Sequence, residues 1–406
     1  MASKKTRRKA QKIAKKHPVL VVIAILLIVA IVGCCVLHKK GVIHIPFLDK
    51  VFPAEQPQTE QPVEGDGVPT VEYTSTEFSA QAVAEIKSSE LSIHFLEMGN
   101  KYTGDCTLIK VGNVEVLIDA GSKKGSAATI VPYINTYCTD GILEYVIATH
   151  AHQDHIAAFV GTKEAKGIFE SFECQTIIDF PLTNSDTQIY KDYLDYRNAE
   201  IALGAKHYTA LQCWNNEGDA KRSYTLADGI TLNILYQKFY EEKTSDENDY
   251  SVCTLLQDGT NNYLFTGDLE HEGEASLLES NDLPKCKLFK GGHHGSPTSS
   301  TAELLAKIQP EIVCVCCCCG SDEYTENVAN MFPSQAFVDR VAPYTDKVYV
   351  TTIIAHNKDG YTSLNGNIVI TVSQGVLRVR CSNNETLFKD TPWFKANRTC
   401  PKEWAQ

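Results

Sequence analysis

The sequence predicts an α/β domain carried behind a single membrane-spanning helix, and three observations predict it. Of 406 residues, 43% are apolar and 22% charged, a balance that suits a globular chain and excludes a wholly disordered or fibrous one. Residues 18–37 (PVLVVIAILLIVAIVGCCVL) run without a charge, and about 20 residues at helical rise span the hydrocarbon layer of a bilayer. From Leu91 onward the pattern becomes short β-rich runs, with a helix expected from about Thr301.

The segments follow in order. Residues 1–17 form a basic tail. Together with the span they hold eight Lys/Arg and no acid, so the positive-inside bias puts the N-terminus in the cytoplasm and residues 38–406 outside. Residues 18–37 read as an uncleaved signal anchor, because no A-x-A site follows. The alternative is a lipoprotein, in which the lipobox-like Ile31-Val32-Gly33-Cys34 leaves a lipidated Cys34 as the new terminus. The anchor is preferred because the apolar run continues past Cys34. Residues 38–89, with Pro46, Pro53, Pro57, Pro62 and Pro69, read as an extended stalk with little to bury. Residues 90–385 are the folded domain. Residues 386–406 are a tail whose two tryptophans suit packing at the domain edge.

Charge narrows the function. The net charge is −12, but outside residues 1–37 there are 30 basic against 50 acidic residues, or −20. Such a surface is not a general polyanion binder, so a phosphate-bearing substrate needs local positive charge. Thirteen of 15 cysteines lie beyond the span, five of them within Cys314–Cys319. Thiols that bind metal come as spaced pairs on turns, whereas neighbours on a strand face opposite ways. The run therefore reads as a buried strand using cysteine as a small hydrophobe.

The chemistry begins where the apolar run Ile142-Leu143-Glu144-Tyr145-Val146-Ile147-Ala148-Thr149 ends in His150-Ala151-His152-Gln153-Asp154-His155. Three imidazoles and a carboxylate within six residues suit a divalent metal. A turn at the strand end can aim His150 and His152 at one ion, and Asp154 and His155 at a second.

With these residues the chain resembles the metallo-β-lactamase superfamily, and within it the outward-facing hydrolase domain of ComEC-type competence proteins. Further motifs over about 91–378 carry the resemblance in order: Ile93-His94-Phe95-Leu96-Glu97-Met98-Gly99, Gly104-Asp105-Cys106-Thr107-Leu108-Ile109, Val116-Leu117-Ile118-Asp119-Ala120-Gly121, Asn248-Asp249-Tyr250-Ser251-Val252, Leu264-Phe265-Thr266-Gly267-Asp268-Leu269-Glu270 and Leu288-Phe289-Lys290-Gly291-Gly292-His293-His294-Gly295-Ser296. The resemblance implies a four-layer αββα sandwich with two divalent ions at one edge, zinc first, with manganese or iron as alternatives. It implies metal ligands His150, His152, Asp154, His155, Asp268 (bridging) and His294. His293 is expected to contact a substrate oxygen, and Asp119 to orient a ligand histidine. Two departures stand out. Most two-metal members have a further histidine about 20 residues before the bridging aspartate, where this chain has Asn248-Asp249. ComEC-type domains also carry Asn there. The chain also lacks the His-Pro that usually follows the pattern at Gly320-Ser321-Asp322-Glu323-Tyr324.

Two bound cations would turn a water into hydroxide near neutrality, and Asp154 is placed both to bind metal and to accept a hydrogen bond from that nucleophile. His152 stands where the flavodiiron redox branch has Glu, so hydrolysis is expected. Lys123, Lys124 and Lys290 are candidate phosphate contacts, and Ser296, Thr298 and Ser299 are candidate phosphoryl donors or helix caps. The leading expectation is a membrane-anchored extracytoplasmic phosphodiesterase, nuclease-like by the resemblance, with DNA or an envelope polymer as its substrate. The alternatives are an envelope-polymer phosphoesterase resembling teichoic-acid phosphorylcholine esterases, and a non-catalytic surface binding module.

Overall fold

A computed structural model describes residues 76–405, except 260 and 357. The expected span at 18–37, the lipobox at Cys34 and most of the stalk lie outside the described residues. Among the described residues no helix is long and apolar enough to cross a membrane.

Chain order builds two mixed sheets. Strands β1 (Leu91–Phe95), β2 (Thr107–Val111), β3 (Val114–Ile118), β4 (Ile142–Ile147), β5 (Glu173–Asp179) and β6 (Lys206–Thr209) form most of the first. Strands β7 (Ser223–Ala227), β8 (Ile230–Leu235), β9 (Cys253–Asp258), β10 (Asn261–Phe265), β11 (Leu288–Lys290), β12 (Ile312–Cys319), β13 (Val348–Ile354) and β14 (Tyr361–Ser363) form the second. The chain then returns with β15 (Ile368–Ser373) and β16 (Val376–Cys381), giving orders 16-15-1-2-3-4-5-6 and 14-13-12-11-10-9-8-7. Pairing is parallel from β3 to β6 and from β10 to β13, and antiparallel elsewhere.

Helices α1 (Ala80–Lys87), α2 (Ala127–Tyr137), α3 (Gln153–Val160), α4 (Gln188–Leu203), α5 (His271–Ser280), α6 (Ala302–Ile308), α7 (Gln335–Val341) and α8 (Pro392–Asn397) complete the elements needed below. Strand alternation sorts them into layers. In β1, Phe95 meets Phe265 of β10 across the sheets (ring centroids 6.4 Å), whereas the neighbouring His94 faces α2 and bonds Tyr133 Oη at 2.9 Å. Burial, then the charge of Lys110, push the His94 pKa down to about 3, so it stays a neutral core group.

The cysteine strand β12 shows the same alternation and is buried along its whole length. Cys314 and Cys316 join the core that both sheets share, while Val313, Val315, Cys317 and Cys319 pack with Leu277 of α5, Leu304 of α6 and Phe337 of α7. The order is helix, sheet, sheet, helix. All 13 described cysteines are free, and 11 of them are buried.

Both ends of the domain reach beyond the limits 90 and 385. Within the last residues assigned to the stalk, α1 starts at the Ser79 cap, which accepts from Ala82 N–H, and it buries Ile86 in the core. In the tail, Phe388, Phe394 and Trp404 are buried in the second core. The Arg398 guanidinium donates five hydrogen bonds, to the carbonyls of Val328, Met331, Pro333 (twice) and Asn397.

Candidate metal centre

The site forms where the C-terminal ends of β3 and β4 in one sheet meet those of β10 and β11 in the other. His150 to His155 follow β4, and His152 is the N-cap of α3, which places Asp154 in its first turn. The turn is clamped by its neighbours. Asp105 N–H donates to Asp154 O (3.0 Å), Ala120 N–H to His155 O (2.8 Å) and Gly121 N–H to Asp105 O (2.9 Å). The approach is so close that a Cβ on Gly121 would lie 1.7 Å from Asp154 O, which is why a glycine stands there. Asp268 follows β10, and its N–H donates to Ser251 Oγ at 3.1 Å. The His pair follows β11 with left-handed backbone at both residues (φ 45° and 54°). This local strain is of the kind that surrounding structure must hold in place.

The side chains converge. His155 Nε2 lies 3.0 Å from Asp268 Oδ2 and 3.3 Å from His294 Nε2. His294 Nε2 lies 3.1 Å from Asp268 Oδ2 and 3.5 Å from Asp154 Oδ2. Donors bound tetrahedrally at zinc distances stand about 3.3 Å apart. His294 is the member of the pair turned into this cluster, since its Nδ1 donates to Cys316 O at 2.8 Å and frees Nε2. His293 instead faces the cleft, with Nδ1 3.1 Å from Glu270 Oε1 and Nε2 3.9 Å from Asp268. At the other position His150 Nε2 and His152 Nδ1 are 3.0 Å apart. Asn248 borders the same cleft, donating to Glu270 at 3.2 Å while its buried Oδ1 has no partner.

Asp119 stands behind His155, with Oδ2 2.7 Å from Nδ1. It also accepts from Thr149 N–H and Oγ1–H, both at 2.8 Å. Two other expected residues sit elsewhere. Lys290 does not line the cleft: it is buried, ion-paired with Asp105 and 3.8 Å from Asp268 Oδ1. An ammonium on a buried strand needs a carboxylate partner, and Asp105 supplies it. Ser296 is buried and hydrogen-bonded to Thr298, while Ser299 serves Leu269 O and Glu274, and the α6 cap is Thr301. Lys124 pairs with Asp192. Of the three lysines, Lys123 reaches the cleft. His207 bonds Asp179 at 2.9 Å, away from the cluster.

Several functional groups were missed. A carboxylate oxygen of Asp105 lies within 4.8 Å of ligand atoms of His155, Asp268 and His294. Its signal was an acid at the start of an apolar hairpin strand. Glu270 holds His293, Asn248 and Thr298, and Tyr324 Oη donates to Asp154 Oδ2 at 2.6 Å.

The electrostatics test whether a cation fits. Four carboxylates gather here, Asp105, Asp119, Asp154 and Asp268, and one ammonium, Lys290, stands against Asp105 and Asp268, all of them buried or nearly so. Counted as carboxylates, with the imidazoles in the neutral form that binds metal, they leave three negative charges beyond Lys290. One divalent ion leaves one of these, and two give a single positive excess that an anionic substrate would meet. Burial pulls the His155 and His294 imidazoles down, but Asp268 with Asp119 for the first, and Asp268 with Asp105 for the second, outweigh it and hold both well above the usual value. The centre thus draws positive charge to the two nitrogens whose protons a cation would displace. His150 goes the other way: burial, then His155 and His152, hold it well below the usual value, in the neutral form a ligand needs. The donor set fits a divalent metal at His155, Asp268 and His294, with Asp105 and Asp154 beside them, while His150 and His152 pair with each other next to His155.

A two-sheet α/β fold with such a centre at the strand ends defines a metal-dependent hydrolase class. The family model for the metallo-beta-lactamase superfamily matches residues 99–319, and the chain belongs to that superfamily. Curated relatives at 26% identity are Recombination protein 2 of Haemophilus influenzae, over 52% of this chain and 23% of that protein, ComE operon protein 3 of Bacillus subtilis (42% and 19%) and Competence protein ComA of Neisseria gonorrhoeae (62% and 30%). The chain spans less than a third of the length of these relatives. Among solved structures, the metallo-beta-lactamase fold protein YhfI from Bacillus subtilis matches at 12% identity and TM-score 0.36, over 65% of this chain and 96% of that one.

Proposed function

We propose that the chain is a metal-dependent phosphodiesterase that cleaves polynucleotide, held at the membrane by residues 18–37 with its hydrolase domain outside. The observation that carries the reading is the convergence of His155, His294, Asp154 and Asp268 at the floor of a cleft of about 440 Å³, whose wall also presents His293 and Lys123. When bound, divalent ions supply an acid that lowers the pKa of water and neutralises phosphoryl charge. The chain's own residues do the rest. Glu270 fixes the His293 ring with Nε2 turned to the cleft, Lys123 brings an ammonium to the mouth, and Asp154 orients the attacking water.

The test is turnover of bis-p-nitrophenyl phosphate by the full-length chain with Zn²⁺, Mn²⁺ or neither, beside Asp268→Ala. Metal-dependent turnover lost in the variant is expected. No turnover by metal-loaded protein would sink the reading. The acidic balance outside residues 1–37 favours a second, smaller-substrate reading, an envelope phosphoesterase. Turnover of p-nitrophenyl phosphorylcholine without cleavage of DNA would establish that instead. Labelling of Cys400, an exposed thiol in the described domain, by an impermeant reagent on intact cells tests the outward orientation.

A further inference from the structure

The described residues bury or half-bury every aromatic side chain except two, Tyr324, which lines the metal cleft, and Tyr102, which lies under the cleft residue Lys123. Tyr324 is 51% exposed although it stands beside the most buried chemistry in the molecule. Its ring is not loose: Oη is tied to Asp154 Oδ2 at 2.6 Å and one face lies on Phe332, with centroids 5.3 Å apart. Phe332 in turn stacks on the ligand His294 (6.1 Å, 29°). The three rings make a stair from the metal centre to solvent, and its outermost step is open. Beside it, Glu323 accepts from Thr103 N–H at 2.8 Å, and Lys123 lies 3.4 Å from Glu323 and 4.3 Å above the Tyr102 ring.

An exposed aromatic held rigidly next to a phosphoryl site costs solvation unless something planar covers it. We propose that Tyr324 is a specificity-determining residue that stacks the nucleobase flanking the scissile phosphate, selecting single-stranded polynucleotide over phosphoesters without a base. Stacking suits any base, because every base presents a π-face. A quaternary ammonium headgroup fits this rim less well, because Lys123 already occupies the cation seat over Tyr102 and repels a second positive charge. The inference deepens the phosphodiesterase reading and rests on it for the choice of polynucleotide.

The two can fail separately. Binding is measured by fluorescence anisotropy with the full-length, metal-loaded chain, using labelled oligothymidylate and an abasic oligomer with the same number of phosphates. The wild type should bind the thymidylate on the order of tenfold or more tighter. Tyr324→Ala should erase that preference, and Tyr324→Phe, which keeps the ring and loses the tie to Asp154, should retain it. Equal binding of the two oligomers by the wild type would overturn the inference, as would a preference that survives in Tyr324→Ala. Capture of a phosphorylcholine-bearing polymer in place of the oligothymidylate would also overturn it. A base preference without any hydrolysis would uphold the stacking role and remove the phosphodiesterase reading alone. Melting curves of both variants control for folding, which an exposed ring should leave unchanged.

Discussion

Asp119→Asn exchanges one acceptor for a donor at the carboxylate that sets the His155 tautomer. In the wild type both Asp119 oxygens accept, Oδ1 from Thr149 N–H, and Oδ2 from Thr149 Oγ1–H and His155 Nδ1–H. An amide offers one oxygen. If that oxygen takes the backbone N–H, the NH₂ group meets His155 Nδ1, and the ring avoids a donor–donor contact by moving its proton to Nε2. That nitrogen then carries a hydrogen where it should bind metal. If the amide turns over, the buried Thr149 N–H loses its partner instead, a cost of about 1–3 kcal/mol. The backbone gives no reason for further damage, since Asp119 has φ 61° and asparagine tolerates that region well. Losing the support of a ligand histidine costs about 10- to 100-fold in metal affinity or activity, or about 1.4–2.8 kcal/mol. The assay is a competitive Zn²⁺ titration against a chelator of known affinity, with metal-free stability measured in parallel. Wild-type affinity in a folded Asp119→Asn protein would refute the argument that Asp119 works by holding His155.

Three further outcomes are expected. Lys290→Met leaves Asp105 without its buried ammonium, so metal-free protein should lose about 3–5 kcal/mol in urea denaturation, and added divalent metal should recover part of it; a loss under about 1 kcal/mol would show that Asp105 does not need the charge. Glu97 is pushed up to about 7 by burial, only partly opposed by the Ser363 hydroxyl. Between the ordinary carboxyl value of 4.5 and that value the folded state holds a proton the unfolded chain has released, so stability falls as pH rises. The wild type should therefore lose up to about 3 kcal/mol relative to Glu97→Gln across that window, and parallel pH–stability curves would refute the assignment. Arg398→Ala leaves four backbone carbonyls without a guanidinium donor, so at about 1–3 kcal/mol each the loss should exceed about 3 kcal/mol; an unchanged melting temperature would show that the tail does not brace residues 328–333.

How far the site could be read in advance depended on how its residues are distributed along the chain. His150, His152, Asp154 and His155 share one turn after one strand, so spacing alone announces them, and the structure puts all four at the cleft or its floor. Asp268 sits alone after an apolar strand and His294 has only His293 beside it, so nothing local marks either as a ligand. Only the order of several motifs marked them out. The layered fold was legible in the same way, since short apolar strands predict sheets but not which sheet a strand joins. β15 and β16 return to the first sheet from the end of the chain, a pairing no local pattern encodes.

The errors share one physical cause. A lysine is assigned to the surface because its burial is costly, and the group that removes the cost for Lys290 is Asp105, 185 positions earlier in the chain. Each was discounted for want of the other: Lys290 as a phosphate contact, Asp105 as part of a strand motif. Ser296 and Ser299 were likewise offered to substrate because the carboxylate that Ser299 serves, Glu274, lies on α5. In the sequence Tyr324 is marked only as part of a broken family pattern, yet a loop with no regular structure carries it 170 positions back to Asp154. Residues that bind metal must present particular atoms in a tight cluster, and local sequence can supply most of such a cluster. Residues that balance its charge or meet its substrate answer to a field and a shape that the whole chain makes, so for Asp105, Lys290 and Tyr324 the fold had to come first.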